Sequence, residues 1–342
     1  MDGSLIIVGI AVALFTGVNN GGSSIGASFG PAVGSGIVGY RMAGILMTGA
    51  VLAGGLIVGP NVVDTLGHKF VSAEHMSLPA AIGVLLFTSA GILFGNLRGV
   101  SVSTSETAVG AVAGLGAALG VLNWKTLAIV ITWWLVSPLI ALAISALIGR
   151  YYYQRLTSAL QLNSESRKPI ARIAVVVIAC YMGFSAGASN VANAVAPLVG
   201  AGELDMTSGI LMGALAMGVG GFIFGPYTMR TVGTGITDLS TEGALIAMVI
   251  AATIITVLSY AGIPVSLAVT AITCVIGMGW GRQLAEQAEQ KADGGNPGNN
   301  NGQVRFSRAT TARIILTWTG SPVIAFAPAY AVFALAHAAG LI

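Results

Sequence analysis

Residues 44–60, GILMTGAVLAGGLIVGP, return as residues 209–226, GILMGALAMGVGGFIFGP, with one residue added. Internal repetition on this scale decides the architecture, because one structural unit then has to be explained twice. Outward from this stretch the spacing barely changes. GGSSIGASFGPAVGSG at 21–36 pairs with GASNVANAVAPLVGAG at 187–202, and GVSVSTSETAVGAVAG at 99–114 with GIPVSLAVTAITCVIG at 262–277. Trp134, Ser137 and Pro138 pair with Trp318, Ser321 and Pro322. By that last match the spacing has grown, because the second half carries an insert at 282–313 rich in Gly, Asn and Gln. Its composition reads as a solvated loop.

The composition is 55% hydrophobic and 8% charged, with 48 glycines in 342 residues, which no water-facing globular surface of this size tolerates. Apolar stretches approaching the roughly 20 residues needed to cross a bilayer core recur at 43–60, 78–97, 126–148 and 243–260. Leu5 to Val18 lacks the basic start of a signal peptide and reads as the first membrane segment. Cys180 and Cys274 both fall inside apolar segments and read as packing residues.

The pattern predicts an all-α polytopic membrane protein. Each half contributes five segments, at about 4–33 (interrupted), 40–60, 78–97, 100–120 and 126–150, with counterparts from 171 to 340. An odd number of crossings inverts the second half, giving a first repeat at 1–150, a basic linker at 151–170 and an inverted second repeat at 171–342. The distribution of Lys and Arg tests the count independently, since they stay cytoplasmic near membrane ends. With the linker inside, Arg41, Arg98, Arg230, the linker cations (Arg150, Arg155, Arg167, Lys168, Arg172) and those of the insert (Arg282, Lys291, Arg305, Arg308, Arg313) all fall inside. Only Lys69 and Lys125 fall outside, with Glu203 and Asp205. The expected location is the plasma membrane, with both termini outside. Inverted repeats with broken or re-entrant helices meeting near the bilayer midplane are the architecture of secondary transporters.

Two stretches carry chemistry. GGSSIGASFGP at 21–31 and GASNVANAVAP at 187–197 are too rich in glycine and polar groups for lipid-facing helices. Both are expected to break, presenting helix-start N–H groups to the centre, where they attract anions. Ser23, Ser24, Ser189, Asn190 and Asn193 add donors; the competing reading is close helix packing through small residues. The second stretch runs through Ser101, Ser103, Thr104, Ser105, Glu106 and Thr107, with Ser266 and Thr270 at the matching places. Glu106 is matched by Val269, so repetition of the fold does not require it. An intramembrane carboxylate is costly and by default functional, which makes Glu106 a candidate proton carrier; the competing reading is an interfacial Glu at a helix start. His68, His75 and His337 have no metal-ligand spacing. No phosphate-binding GxxxxGK[ST] loop or nucleophile elbow occurs, so no enzymatic activity is expected. Nothing points to a nucleic-acid partner.

At these duplicated stretches the chain resembles the inorganic phosphate transporter family, whose repeats carry a motif of the form G-A-N-D-V-A-N-A and, later, S-T-T-H. The resemblance spans nearly the whole chain. Gly187, Ala188, Val191, Ala192, Asn193, Ala194 and Pro197 match the first motif, with Ser189 and Asn190 replacing its Asn and Asp. In the first half Ser23 and Ser24 stand at those two places and Ala27 at the later Asn. Ser103 and Thr104 match the second motif, followed by Ser105 and Glu106 in place of Thr and His. This pattern is similar to the bacterial sulfate permease branch of the family.

The resemblance implies that these positions hold substrate, and that losing both aspartates removes the anionic charge from any sodium cage. Hydrogen phosphate carries a proton and favours a site with an acceptor, whereas sulfate wants only donors. A buried acceptor facing sulfate would cost about 1–3 kcal/mol. The expectation is therefore sulfate import by proton symport, with Ser23, Ser24, Ser103, Thr104, Ser105, Ser189, Asn190, Asn193 and Ser266 holding the dianion and Glu106 carrying the proton. A phosphate symporter, coupled to sodium or protons, and an anion channel or membrane receptor using the same helix ends are the alternatives. Membrane lipid and a second copy of the chain, as a homodimer, are the other expected partners; no cofactor is expected.

Overall fold

The computed structural model describes residues 3–97, 102–160, 168–233, 241–292 and 308–342. Its helices run α1 Gly3–Gly34, α2 Tyr40–Ile57, α3 Gly59–Asp64, α4 Leu78–Leu97, α5 Thr104–Ala118, α6 Trp124–Tyr151 and α7 Tyr153–Leu160. They continue as α8 Lys168–Asn190, α9 Ala192–Gly200, α10 Met206–Gly233, α11 Thr241–Tyr260, α12 Leu267–Ala292 and α13 Arg308–Ala338. A π-helical turn, Thr65–Lys69, and a 3-10 turn, Ala73–His75, join α3 to α4. There is no strand among the described residues. Eight helices there are long and apolar enough to cross a membrane, α8 and α9 counting as one span. The two remaining expected segments appear as α5, too short at 15 residues to qualify, and α12, whose apolar stretch stops at Arg282.

Two expectations are corrected. The interruption at 21–31 does not occur: α1 is one helix of 32 residues. Its hydroxyls turn back onto the helix, Ser23 Oγ donating to the Asn20 carbonyl at 3.0 Å and Ser28 Oγ to the Ser24 carbonyl at 3.0 Å. Serine at bilayer depth thus finds its acceptor without unwinding the backbone. In the second half the break is one residue wide: Val191 separates α8 from α9 yet keeps helical angles (φ −58°, ψ −39°). The insert is likewise not a loop throughout, since α12 continues to Ala292. RQLAEQAEQKA is composed of good helix formers, and Arg282 Nε donates to Glu286 Oε1 at 2.8 Å across one turn.

The helices interlock through glycine. Without a hydrophobic drive between helices in lipid, close backbone approach supplies the dispersion and Cα–H···O contacts that hold them. α1 crosses α10 so closely that a Cβ on Gly21 would lie inside the Met217 carbonyl, and one on Gly220 inside the Val18 carbonyl. α2 crosses α8 in the same way, with Gly187 on the Val51 carbonyl and Gly54 on the Phe184 carbonyl. These are the same contacts at positions paired in the sequence: Gly21 with Gly187, Val51 with Met217, Gly54 with Gly220, and Val18 with Phe184. A second reciprocal set joins α5 to α13, where Gly114 rests on the Phe326 carbonyl, and α6 to α12, where Gly277 rests on the Leu142 carbonyl. Each of these four crossings joins an element of the first half to one of the second.

Gly54→Ala and Gly220→Ala, which put a methyl into a facing carbonyl, are each expected to lower stability by about 1–3 kcal/mol. Gly49→Ala, whose Cβ meets nothing within 4 Å, is expected to be neutral or to stabilise α2 by about 0.5–1 kcal/mol. Thermal unfolding of the purified variants in detergent, followed by circular dichroism, measures the difference.

Candidate anion site

Four stretches of chain converge inside this framework: the middle of α1, the α8–α9 junction, the start of α5 and the segment that leads into α12. Serine begins both of the latter helices. Ser103 Oγ accepts from the Glu106 N–H at 3.4 Å to cap α5, and Ser266 Oγ accepts from the Val269 N–H at 3.3 Å to cap α12. One turn in, Thr107 and Thr270 donate to the Ser103 and Ser266 carbonyls at 2.8 and 2.9 Å. Each cap satisfies an orphan N–H and leaves the positive end of a helix dipole at the junction. The approach to each helix is held by a late helix of the opposite half: Ser321 of α13 accepts from the Ser103 N–H at 3.2 Å, and Trp134 Nε1 of α6 donates to the Pro264 carbonyl at 2.8 Å.

Asn190 is the hub. Its Nδ2 donates to Ser24 Oγ at 3.0 Å, its Oδ1 accepts from Ser105 Oγ at 3.1 Å, and its carbonyl accepts from Asn20 Nδ2 at 3.0 Å. One side chain and its own backbone thereby tie α8 to α1 and α5. Asn193, one turn along, reaches Thr104 Oγ1 and Ser105 Oγ at 3.4 Å. Ser189 Oγ donates to the Val265 carbonyl at 2.9 Å and accepts from the Val265 N–H at 3.2 Å, closing both backbone groups of the residue before Ser266. The one hydroxyl proton of Ser105 is divided between that carbonyl and Asn190 Oδ1, each at 3.1 Å.

The structure therefore brings Ser24, Thr104, Ser105, Ser189, Asn190 and Asn193 into one hydrogen-bonded group, with Ser103, Glu106 and Ser266 at the adjoining helix starts. Ser23 stands apart, half-buried, its hydroxyl spent on its own helix. Ser101 lies outside the described residues. Sequence reasoning missed Asn20, whose amide is fully buried and bonded to the hub. It pairs by position with Ala186, so an argument built on repetition passed over it; an asparagine just past the apolar run Leu5 to Val18, within the segment expected at 4–33, was the available signal.

Counting protons corrects the picture of hydroxyls as free donors. Those of Ser23, Ser105 and Ser189 already serve oxygens of the protein. Among the described residues, the hydroxyl protons of Ser24, Thr104 and Ser266 have no acceptor, that of Ser103 faces the Glu106 carboxyl, and the buried oxygens Asn20 Oδ1, Asn193 Oδ1 and Glu106 Oε2 have no donor. Buried polar atoms in native proteins are almost always satisfied, and these are the atoms that a bound ligand or water can satisfy. The free hydroxyls and helix starts suit an oxyanion, while the free oxygens suit a proton or a hard cation.

A model of the phosphate transporter family matches residues 20–329. The chain is 29% identical over 330 residues to the sulfate permease CysP of Bacillus subtilis, covering 96% of this chain and 87% of that one. It is 24% identical to a putative phosphate permease of Helicobacter pylori, covering 84% of this chain and 71% of the relative. Among solved structures, that of a sodium-dependent phosphate transporter superposes with a TM-score of 0.76 at 19% identity, covering 98% of this chain and 99% of that one, a likeness of fold.

Asn190→Ala removes two buried side-chain hydrogen bonds that join three helices. It is expected to cost more stability than Ser28→Ala, which removes one bond within α1. The expected gap is about 1–3 kcal/mol, read from thermal unfolding of the two variants in the same detergent.

Proposed function

This chain belongs to the phosphate transporter family, and from that premise we propose that it imports sulfate across the plasma membrane by proton symport. The observation that carries the reading is the set of uncommitted hydroxyl protons on Ser24, Thr104 and Ser266 around the starts of α5 and α12, with no aspartate among them. Donors without an opposing fixed anion suit a fully deprotonated dianion. The similarity to a sulfate permease over 96% of the chain supports the same choice.

In this mechanism the dianion sits between the two helix starts, held by those hydroxyls and the free N–H groups of the first turns. Glu106, in the first turn of α5 and buried, carries the proton: protonated, its Oε2 becomes a donor to the anion and loses its own deficit. The two halves, 1–150 and 171–342, act as inverted repeats around this site, with the basic linker cytoplasmic and both termini outside. The reciprocal glycine crossings support a two-fold relation between them.

A second reading rests on Asn20 Oδ1 and Asn193 Oδ1, which are buried and accept from nothing. Neutral amide oxygens are hard ligands that suit sodium, and they also suit the proton of hydrogen phosphate. Sodium-dependent phosphate transport, the function by which the structural neighbour is named, is what this pair favours.

Uptake of radiolabelled sulfate into proteoliposomes separates the two. With an inward proton gradient, the first reading expects accumulation that ignores sodium and resists excess phosphate. Uptake that needs sodium, or that phosphate blocks, establishes the second. In the same assay Glu106→Gln is expected to abolish pH-driven accumulation while leaving sulfate exchange intact. Undiminished pH-driven accumulation in that variant removes Glu106 from the proton path.

A further inference from the structure

Away from the site, the most one-sided chemistry lies where the two halves are joined. From Trp124 to Asn163 the sequence has no acidic residue, and over 150–172 it carries Arg150, Arg155, Arg167, Lys168 and Arg172 against Glu165 alone. The elements that carry this charge share a neighbour: α6, which ends just past Arg150, the short helix α7 and α8, which opens with Lys168, all pack against α11. Arg150, Arg155 and Arg172 are exposed. Among the described residues, the acidic groups of α11 and α12 make no ion pair with them. Glu242, in the first turn of α11, is buried, and Glu286 of α12 is engaged by Arg282 at 2.8 Å.

The surroundings of these cations fit a membrane surface. Tyr151 and Tyr152 are 59% and 54% exposed at the foot of α6, and the Arg150 guanidinium lies 5.2 Å over the Tyr151 ring. Arg282 stacks at 5.6 Å on Tyr153, fixing the first residue of α7 against α12. Leu147 on α6 and Ile173 and Val177 on α8 are exposed apolar residues of membrane-spanning helices, so the basic side chains border the lipid-facing surface. Tyrosine at the headgroup level, with arginine stems over apolar surface and heads in the polar layer, is how proteins meet an anionic leaflet.

We propose that Arg150, Arg155 and Arg172, with Tyr151 and Tyr152, form a binding surface for anionic phospholipid headgroups. The lipid phosphate accepts from the guanidinium groups, bidentate where geometry allows, while its acyl chains lie along Leu147, Ile173 and Val177. A headgroup held there bridges the last helix of the first half to the first helix of the second.

The test is native mass spectrometry of the full chain released from mixed phosphatidylglycerol and phosphatidylcholine, paired with thermal unfolding as either lipid is added. Wild-type protein is expected to retain phosphatidylglycerol at least about tenfold over phosphatidylcholine, given the attraction of each surface cation to an anionic leaflet, and to gain thermal stability from it alone. In Arg150→Gln/Arg155→Gln/Arg172→Gln this preference should vanish, and in the triple Lys variant it should largely persist. If the triple Gln variant does not fold, the exposed single change Arg155→Gln and a salt titration of the wild type carry the test, both lowering the preference. Equal retention of the two lipids by wild type, or an unchanged preference in the Gln variants, overturns the proposal. Equal stabilisation by inorganic phosphate, lost in the Gln variant, overturns it in favour of a soluble anion.

Discussion

Everything in this molecule follows from the absence of water around a polar backbone at bilayer depth. A peptide or hydroxyl group that cannot reach solvent must be satisfied by the protein, at several kcal/mol for each failure. The chain answers in two ways. Serine and threonine along the helices fold back onto carbonyls a turn below, as Ser28 and Thr107 do. Where the backbone leaves the helix before α12, Ser189 closes both polar groups of Val265. What remains unpaired after this accounting is confined to few atoms, and those of Asn20, Asn193 and Glu106 lie around one junction. Others, on Thr88, Ser145 and Ser259, are single hydroxyls elsewhere in the helices.

The same solvent decides how the helices are held. Lipid tails compete with leucine on equal terms, so apolar burial does not drive helices together, and contact distance has to do the work. The glycines that make the composition unusual are concentrated at crossings where one helix rests on the carbonyls of another. Because the crossings come in reciprocal sets between the halves, each half is built into the other. A halved chain would lose all four of these crossings at once.

Much of this was legible from the residues. The repeat at 44–60 and 209–226 identifies α2 and α10, and the segments expected at 78–97 and 126–150 appear as Leu78–Leu97 and Trp124–Tyr151. The serines at 103 and 266 were recognisable as helix starts because they recur with threonine one turn later. The continuity of α1 was not legible. Glycine and serine lower helix propensity, and only the facing backbone of α10 shows that the glycines of 21–31 serve approach and not unwinding. Asn20 stayed hidden because repetition marks what both halves share, and the site depends on what one half has alone. Thr104, Ser105 and Glu106 at the start of α5 have apolar counterparts in Leu267, Ala268 and Val269, and Asn193 has one in Ala27. A symmetric frame thus carries an asymmetric lining.

Val265 has a consequence of its own. Its carbonyl is gripped by Ser189 from α8 and by Ser105 from α5, and its N–H by Ser189 again. The peptide that leads into α12 therefore cannot part from either helix without breaking buried hydrogen bonds. That loss is chiefly enthalpic. Any motion that parts α12 from α5 and α8 at this residue therefore has a rate with a steep temperature coefficient, set by a handful of bonds.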